Sequence, residues 1–178
     1  MIISVHLPKT AGTSFGRSLK NHFGEQFFKD GSDYPFRTTA YNRNEEVMIN
    51  SVGIANKDFG EIQCVHGHFL PAKYLLLDMK RELQFVTWMR DPIERLISHY
   101  FYWKRRFKVG KSELPGLGEA ATLEEFCLHP KFRNLYTQYF FAFHLESFEF
   151  IGITEFYNED YRFFSKNIWT LAFLLYLN

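Results

Sequence analysis

Three short stretches of this 178-residue chain carry residue types suited to chemistry on anions. The first is Pro8-Lys9-Thr10-Ala11-Gly12-Thr13-Ser14, directly after the apolar run IISVHL at 2–7. A strand that runs through a tight turn into a helix presents free backbone N–H groups and the positive end of the helix dipole. Lys9 adds a full charge, Thr10, Thr13 and Ser14 add hydroxyl donors, and Gly12 lets the backbone approach a phosphate closely. The turn is not a G-x-x-x-x-G-K-[ST] loop, because the lysine precedes a single glycine. On its own it reads equally as an anion cradle or as an ordinary capped turn with a lysine in solvent.

The second stretch begins at Arg90, where the run LQFVTWM (83–89) ends. Ligands of α/β proteins bind at the carboxyl ends of strands, and an arginine there can share one phosphate with Ser98, two helical turns onward. Arg95, Ser98 and Tyr102 share a helix face opposite an apolar stripe of Ile93, Leu96, Ile97, Tyr100 and Phe101. The bland alternative is an arginine paired with a nearby carboxylate and a serine facing water. The third stretch is His66-Gly67-His68. On a strand, side chains at i and i+2 share a face, and imidazole titrates in the range a general base needs. A metal pair short of a third ligand and a histidine hydrogen-bonded in a turn are the other readings.

These residues need elements to hold them. IISVHL, IQCVHGHF (62–69), LQFVTWM and FEFIGITEF (148–156) read as strands. Phe15, Leu19 and Phe23 recur at helical spacing, so a helix is expected from about Thr13 to Gly24. Asp91 and Pro92 suit the N-cap and first turn of the next clear helix. Further helices are expected at Ala72–Asp78, at TLEEFCLH (122–129) with a Thr122/Glu125 capping box, at FRNLYTQYFF (132–141) and at NEDYRFFSKNI (158–168). The polar stretch 29–60 reads as a connection with one helix around NEEVMINSV, and 104–119 as an exposed basic loop. Strands alternating with helices predict an α/β fold, a single domain over 1–178 on a central, mostly parallel sheet flanked by helices.

Composition narrows the partners. The 21 Lys+Arg against 20 Asp+Glu leave a formal net charge of +1, which argues against a chain that coats nucleic acid. Cys64 and Cys127 fit neither a zinc knuckle nor a disulfide framework, and there is no HExxH, so no metal is expected. The N-terminus lacks a signal-peptide pattern, and the apolar tail at 168–177 is about half the length a bilayer requires. No stable membrane insertion and a cytoplasmic location are the expectations.

HLPKTAGTSF (6–15) resembles the 5′-phosphosulfate loop of sulfotransferases that use 3′-phosphoadenosine 5′-phosphosulfate (PAPS), and FVTWMRDPIERLISHYFYW (85–103) resembles their 3′-phosphate motif. Within that family the chain is most similar to carbohydrate enzymes of the uronosyl 2-O type and their bacterial relatives. The PKTAGTS loop, His66-Gly67-His68, the R-D-P-I-E-R-x-x-S-x-Y pattern at 90–100 and FIGITEFYNE (150–159) carry the likeness, over roughly residues 3–165.

The resemblance implies a P-loop-like three-layer fold and transfer of a sulfuryl group from PAPS to a carbohydrate hydroxyl, leaving 3′-phosphoadenosine 5′-phosphate (PAP), without a metal. It assigns the co-substrate to Lys9, Thr10, Ala11, Gly12, Thr13, Ser14, Arg90 and Ser98. His68 is implied as the base, with His66 beside it and Lys9 at the leaving phosphate. Arg95, Lys104, Arg105 and Arg106 are expected to dock the acceptor, an anionic polysaccharide, with Trp103 and Phe107 stacking on sugar rings. Asn134, Tyr136 and Gln138 resemble a polar stretch common in the family, without individual roles. Relatives continue past the last strand with a segment that closes over the adenine, which NIWTLAFLLYLN (167–178) does not resemble. A form lacking that segment is therefore expected, with a replaced lid or impaired co-substrate binding as alternatives; a degenerate fold that binds nucleotide or glycan without turnover stays open, as does, more remotely, a nucleoside-triphosphate kinase. Animal relatives work in the Golgi lumen, the alternative to the cytoplasm.

Overall fold

The computed structural model describes residues 1–31, 39–110, 114 and 116–174, with side chains through 168. In chain order it contains β1 (Ile2–Val5), α1 (Gly12–Phe23), β2 (Phe27–Asp30), α2 (Ala40–Ala55), β3 (Cys64–Gly67), α3 (Leu75–Asp78), β4 (Gln84–Met89), α4 (Pro92–Lys108), α5 (Leu123–Leu128), α6 (Leu135–Tyr139), β5 (Phe150–Ile153) and α7 (Tyr157–Leu174). The strands form one sheet in the order β2-β3-β1-β4-β5, and every pairing is parallel.

Alternating residues on the strands bury both faces of this sheet, as parallel sheets require. Ile3, Val5, Val65 and Phe85 point to one side and pack with Leu77, Tyr139 and Phe143. Ile2, Cys64, Val86, Trp88 and Phe150 point to the other, against Phe15 and Leu19 of α1 and Phe164 and Ile168 of α7. The result is the α/β fold on a parallel sheet expected from the alternation, with the three layers that the resemblance implied.

Local signals placed several elements closely. Asp91 accepts hydrogen bonds from the N–H groups of Ile93 and Glu94, with Pro92 in the first turn of α4. Thr122 and Glu125 form the anticipated capping box on α5.

Three expectations are corrected. First, β2 lies at the start of the stretch read as a connection. It is a four-residue edge strand with only Asp30 buried, too short and too exposed to give a period-2 signal. Second, the segment from Lys104 to Lys108 is the last part of α4 rather than a loop. Third, the face of α4 that enters the protein carries Arg95, Tyr100 and Trp103, whereas Ile93 is 70% and Phe101 52% exposed. Trp103 packs against Tyr100, Phe107 and Phe126 in a cluster between α4 and α5, so it is not a platform for sugars.

The expectation about the apolar tail falls largely on side chains outside the described residues. Among the described residues no helix is long and apolar enough to cross a membrane.

The strand order decides where ligands go. The chain leaves β1 towards β2 and β3 on one side and returns to β4 on the other, so the switch of direction lies between β1 and β4, where open α/β sheets bind ligands.

Candidate active site

The turn after β1 is built from unusual backbone. Lys9 (φ 70°) and Ala11 (φ 61°) occupy the left-handed region, which costs a residue with a Cβ about 1 kcal/mol or more. Ala11 is the N-cap of α1 and provides no side-chain cap. Its carbonyl accepts from the N–H groups of Ser14 (3.0 Å) and Phe15 (3.2 Å), so the uncapped amides are those of Gly12 and Thr13. The Thr10 hydroxyl is buried and donates to the Leu7 carbonyl (3.0 Å), which corrects its assignment as a phosphate donor. Thr13 and Ser14 are exposed. The Lys9 ammonium lies 4.6 Å from the centre of the Tyr102 ring. Burial, then repulsion from Arg105 and Arg90, pushes its pKa below that of an ordinary lysine.

The turn after β4 is fastened through side chains. The Tyr136 hydroxyl accepts from the Arg90 N–H (3.0 Å) and donates to the Arg90 carbonyl. Thr154 donates to the Met89 carbonyl (2.9 Å), and Glu155 accepts from the Asp91 N–H (3.1 Å). The Arg90 main chain is thus held from α6 and from the end of β5. Among the described residues its guanidinium pairs with Glu94 (3.4 Å) and Glu155 (3.7 Å), long and partly exposed pairs that an incoming phosphate can replace.

Between β1 and β3 sit three histidines. The His66 ring is buried, with Nδ1 2.8 Å from the Ser4 hydroxyl. Burial is the main cause pushing its pKa down to about 4, and a hydrogen bond with the Gly12 backbone opposes it. His68, just past β3, has Nδ1 2.6 Å from the His6 carbonyl. A carbonyl only accepts, so Nδ1 carries the proton and Nε2 is the basic nitrogen. Burial lowers the His68 pKa as well. His6 stacks on His68 with ring centres 4.0 Å apart and on His66 at 5.2 Å.

Two cavities flank this stack. One of about 390 Å³ is lined by Lys9, Ala11, Gly12, Thr13 and Ser14 from the first turn and by Arg90, Ser98, His99, Tyr102 and Thr154 from the second. Among the described residues no carboxylate lines it, and its size lies in the range of small-ligand sites. The other, about 840 Å³, is lined by Arg17, Lys20 and Lys29 beside His66, and by Asp30, whose carboxylate is paired with Lys73 (2.8 Å). His6 and His68 line both. No curated protein matches the chain. A model of the family described as Sulfotransferase family matches residues 1–162. The chain belongs to the sulfotransferase family. The family's activity is the transfer of a sulfuryl group to an acceptor.

In this sulfotransferase the residues expected at the two ends of a nucleotide share one cavity, apart from Thr10. The expected acceptor residues do not group together. Arg95 is 3% exposed, its guanidinium 6.0 Å from the Tyr136 ring, so it is out of an acceptor's reach and that assignment is corrected. Lys104 donates to the Tyr100 hydroxyl (2.9 Å), while Arg105 and Arg106 are exposed on α4.

Sequence reasoning missed His6, His99, Tyr136 as a clamp, Glu155, and the Arg17/Lys20/Lys29 rim. For His6 a signal existed, a lone polar ring at the end of an apolar strand beside the loop. The others depend on contacts between residues far apart in sequence.

Proposed function

We propose that this protein transfers a sulfuryl group from PAPS to a hydroxyl of a carbohydrate, with His68 as general base. The observation that carries the reading is the carboxylate-free cavity joining the Lys9–Ser14 turn to Arg90 and Ser98, with His68 on its wall and on the wall of the cavity beside it. That lining suits a nucleotide with phosphate at both ends. PAPS, when bound, supplies the sulfuryl group and a phosphate leaving group.

Lys9 and the amides of Gly12 and Thr13 meet the negative charge that grows on the leaving phosphate, fixed donors that need no reorganisation. Arg90, braced by Tyr136, and Ser98 orient the 3′-phosphate, and position is most of what a loose in-line transfer demands. Nε2 of His68 takes the acceptor's proton, its tautomer set by the His6 carbonyl. Ser4 and the Gly12 backbone engage His66, which therefore holds the loop against β3.

The acceptor enters through the larger cavity. Arg17, Lys20 and Lys29 suit an anionic polysaccharide, with Arg105 and Arg106 as an outer strip. The likeness of the loop and the His66-Gly67-His68 stretch to uronosyl 2-O enzymes favours a sugar.

Calorimetry with PAP and with ATP plus magnesium tests the donor site, and transfer of radiolabelled sulfate to heparan, chondroitin and bacterial capsular glycans tests the acceptor. PAP is expected to bind and ATP–magnesium to bind worse; the opposite order makes the protein a kinase candidate. His68→Ala lowers transfer about a thousandfold while PAP affinity stays near wild type, and a fully active variant removes the base assignment. Because burial lowers the His68 pKa, the acid limb of the rate profile falls below pH 6.5, with full rate at neutrality.

A further inference from the structure

His6 has no role in the mechanism above beyond its carbonyl, yet together with His68 and Thr13 it lines both cavities. Its main chain is fixed on both sides, with the N–H donated to the Gly67 carbonyl (2.8 Å) and the carbonyl receiving Nδ1–H of His68. Its ring is fixed by stacking on His68 and by the backbone of α1. A Cβ at Gly12 would come within 1.9 Å of the His6 ring, so glycine there makes room for this imidazole. Among the described residues the ring nitrogens of His6 have no hydrogen-bond partner in the protein. An oriented imidazole facing a cavity, with its hydrogen-bonding atoms unused, is a group that waits for a ligand.

Resting on the reading of the site given under Proposed function, we propose that His6 is a second catalytic imidazole, a hydrogen-bond donor to the oxygens of the sulfuryl group as it crosses from the smaller cavity to the larger. In that step the acceptor oxygen forms a bond to sulfur, the bond from sulfur to the phosphate oxygen breaks with its electron pair on the phosphate, and the acceptor proton goes to Nε2 of His68. His6 gains and loses no proton. Burial, with His68 and His66 adjacent, pushes its pKa down to about 2, so it stays neutral and keeps one N–H to donate. A neutral donor suits this place, because a second cation beside His68 would oppose proton uptake by the base. The smaller cavity supplies charge through Lys9 at the leaving phosphate, while His6 supplies direction at the group in flight.

The test uses two variants of the whole chain. His6→Phe keeps a stacking ring and removes the N–H; His6→Gln returns an N–H at similar reach. Four readouts apply: PAP affinity by calorimetry, PAP release from PAPS to heparosan or to water, ¹⁵N shifts of the His68 ring, and thermal melting. The expected result for His6→Phe is PAP affinity within about threefold of wild type, an unchanged His68 tautomer, and release slowed about a hundredfold in kcat with little change in KM for heparosan. His6→Gln is expected to recover about tenfold of that loss. Wild-type release by His6→Phe overturns the proposal. So does a slow His6→Phe whose His68 shifts report the other tautomer, since the ring then acts only through the base. A wild-type protein that neither binds PAP nor releases it from PAPS overturns the sulfuryl-donor reading itself, which separates that failure from this one.

Discussion

The two strand-to-helix turns that line the smaller cavity solve opposite problems. After β1 the chain takes two left-handed residues with side chains, leaves α1 without a side-chain cap, and presents amides. After β4 it caps α4 fully with Asp91, starts it with Pro92, and presents a guanidinium and a hydroxyl instead. The first turn offers backbone to a ligand: its conformation is strained and its helix end has no side-chain cap. The second offers side chains, and its backbone is capped and braced from α6 and the end of β5. On the function proposed above, one architectural unit yields a site for a group where charge changes during reaction and a site for a group that is only held.

The largest effect that sharpens this contrast comes from Lys9→Ala and Arg90→Ala, measured against PAP and against adenosine 5′-monophosphate, which lacks the 3′-phosphate. Lys9→Ala is expected to lower transfer a hundredfold or more, on the order of an oxyanion donor's contribution, and to weaken both nucleotides. Arg90→Ala is expected to weaken PAP roughly 10- to 100-fold and leave the monophosphate unchanged. Equal losses for both nucleotides in both variants would mean that the turns do not hold different ends of one ligand.

Acid is expected to load both turns, since α1 adjoins and α4 carries a histidine that burial depresses below 6.5. The first turn rests on buried histidines, with His66 depressed to about 4 from an unfolded value of 6.5. Between those values the unfolded chain binds a proton that the folded chain refuses. Stability is therefore intact above pH 6.5 and declines as the pH falls towards 4, by an amount on the order of 3 kcal/mol from this group. His99 on α4, depressed to about 3 mainly by burial, adds a loss of the same sign, so native-state hydrogen exchange is expected to quicken in both α1 and α4 as the pH falls; exchange unchanged in either helix would detach it from its histidine.

Gly12→Ala drives a methyl into the His6 ring, within 1.9 Å if nothing moves, and is expected to destabilise by about 1–3 kcal/mol and reduce transfer with it. A variant of wild-type stability and rate would show that the ring yields without consequence. The smallest effect belongs to Asp91→Ala, which removes the cap of α4 at a loss of about 1 kcal/mol, or a few degrees in melting temperature. Because Tyr136, Thr154 and Glu155 still brace the turn, PAP affinity is expected to stay within about threefold, read by calorimetry; a large loss would place the binding geometry in the cap itself.

Much of the site was legible because its pieces are local. A cap at Asp91, a proline beside it, a glycine and hydroxyls after an apolar run, and two histidines spaced for one strand face are statements about neighbours in sequence, where backbone geometry alone sets the outcome. The reading failed where an outcome depended on a distant partner. The stripe on α4 could not reveal that Arg95 and Trp103 go inward, because that depends on where α5 and α6 pack. Thr10 has the residue type of a donor, but its hydroxyl turns back to Leu7.

From sequence alone came the α/β alternation, the two strand-to-helix turns with residue types suited to an anion, and the histidine pair, since each follows from short-range sterics, capping and periodicity. Only the tertiary structure decided that β1 lies between β3 and β4, which sets the histidines beside one turn and opposite the other and makes a single His6–His68 stack the boundary of two cavities. Strand order is settled by packing both sheet faces at once, and no local stretch of residues encodes it.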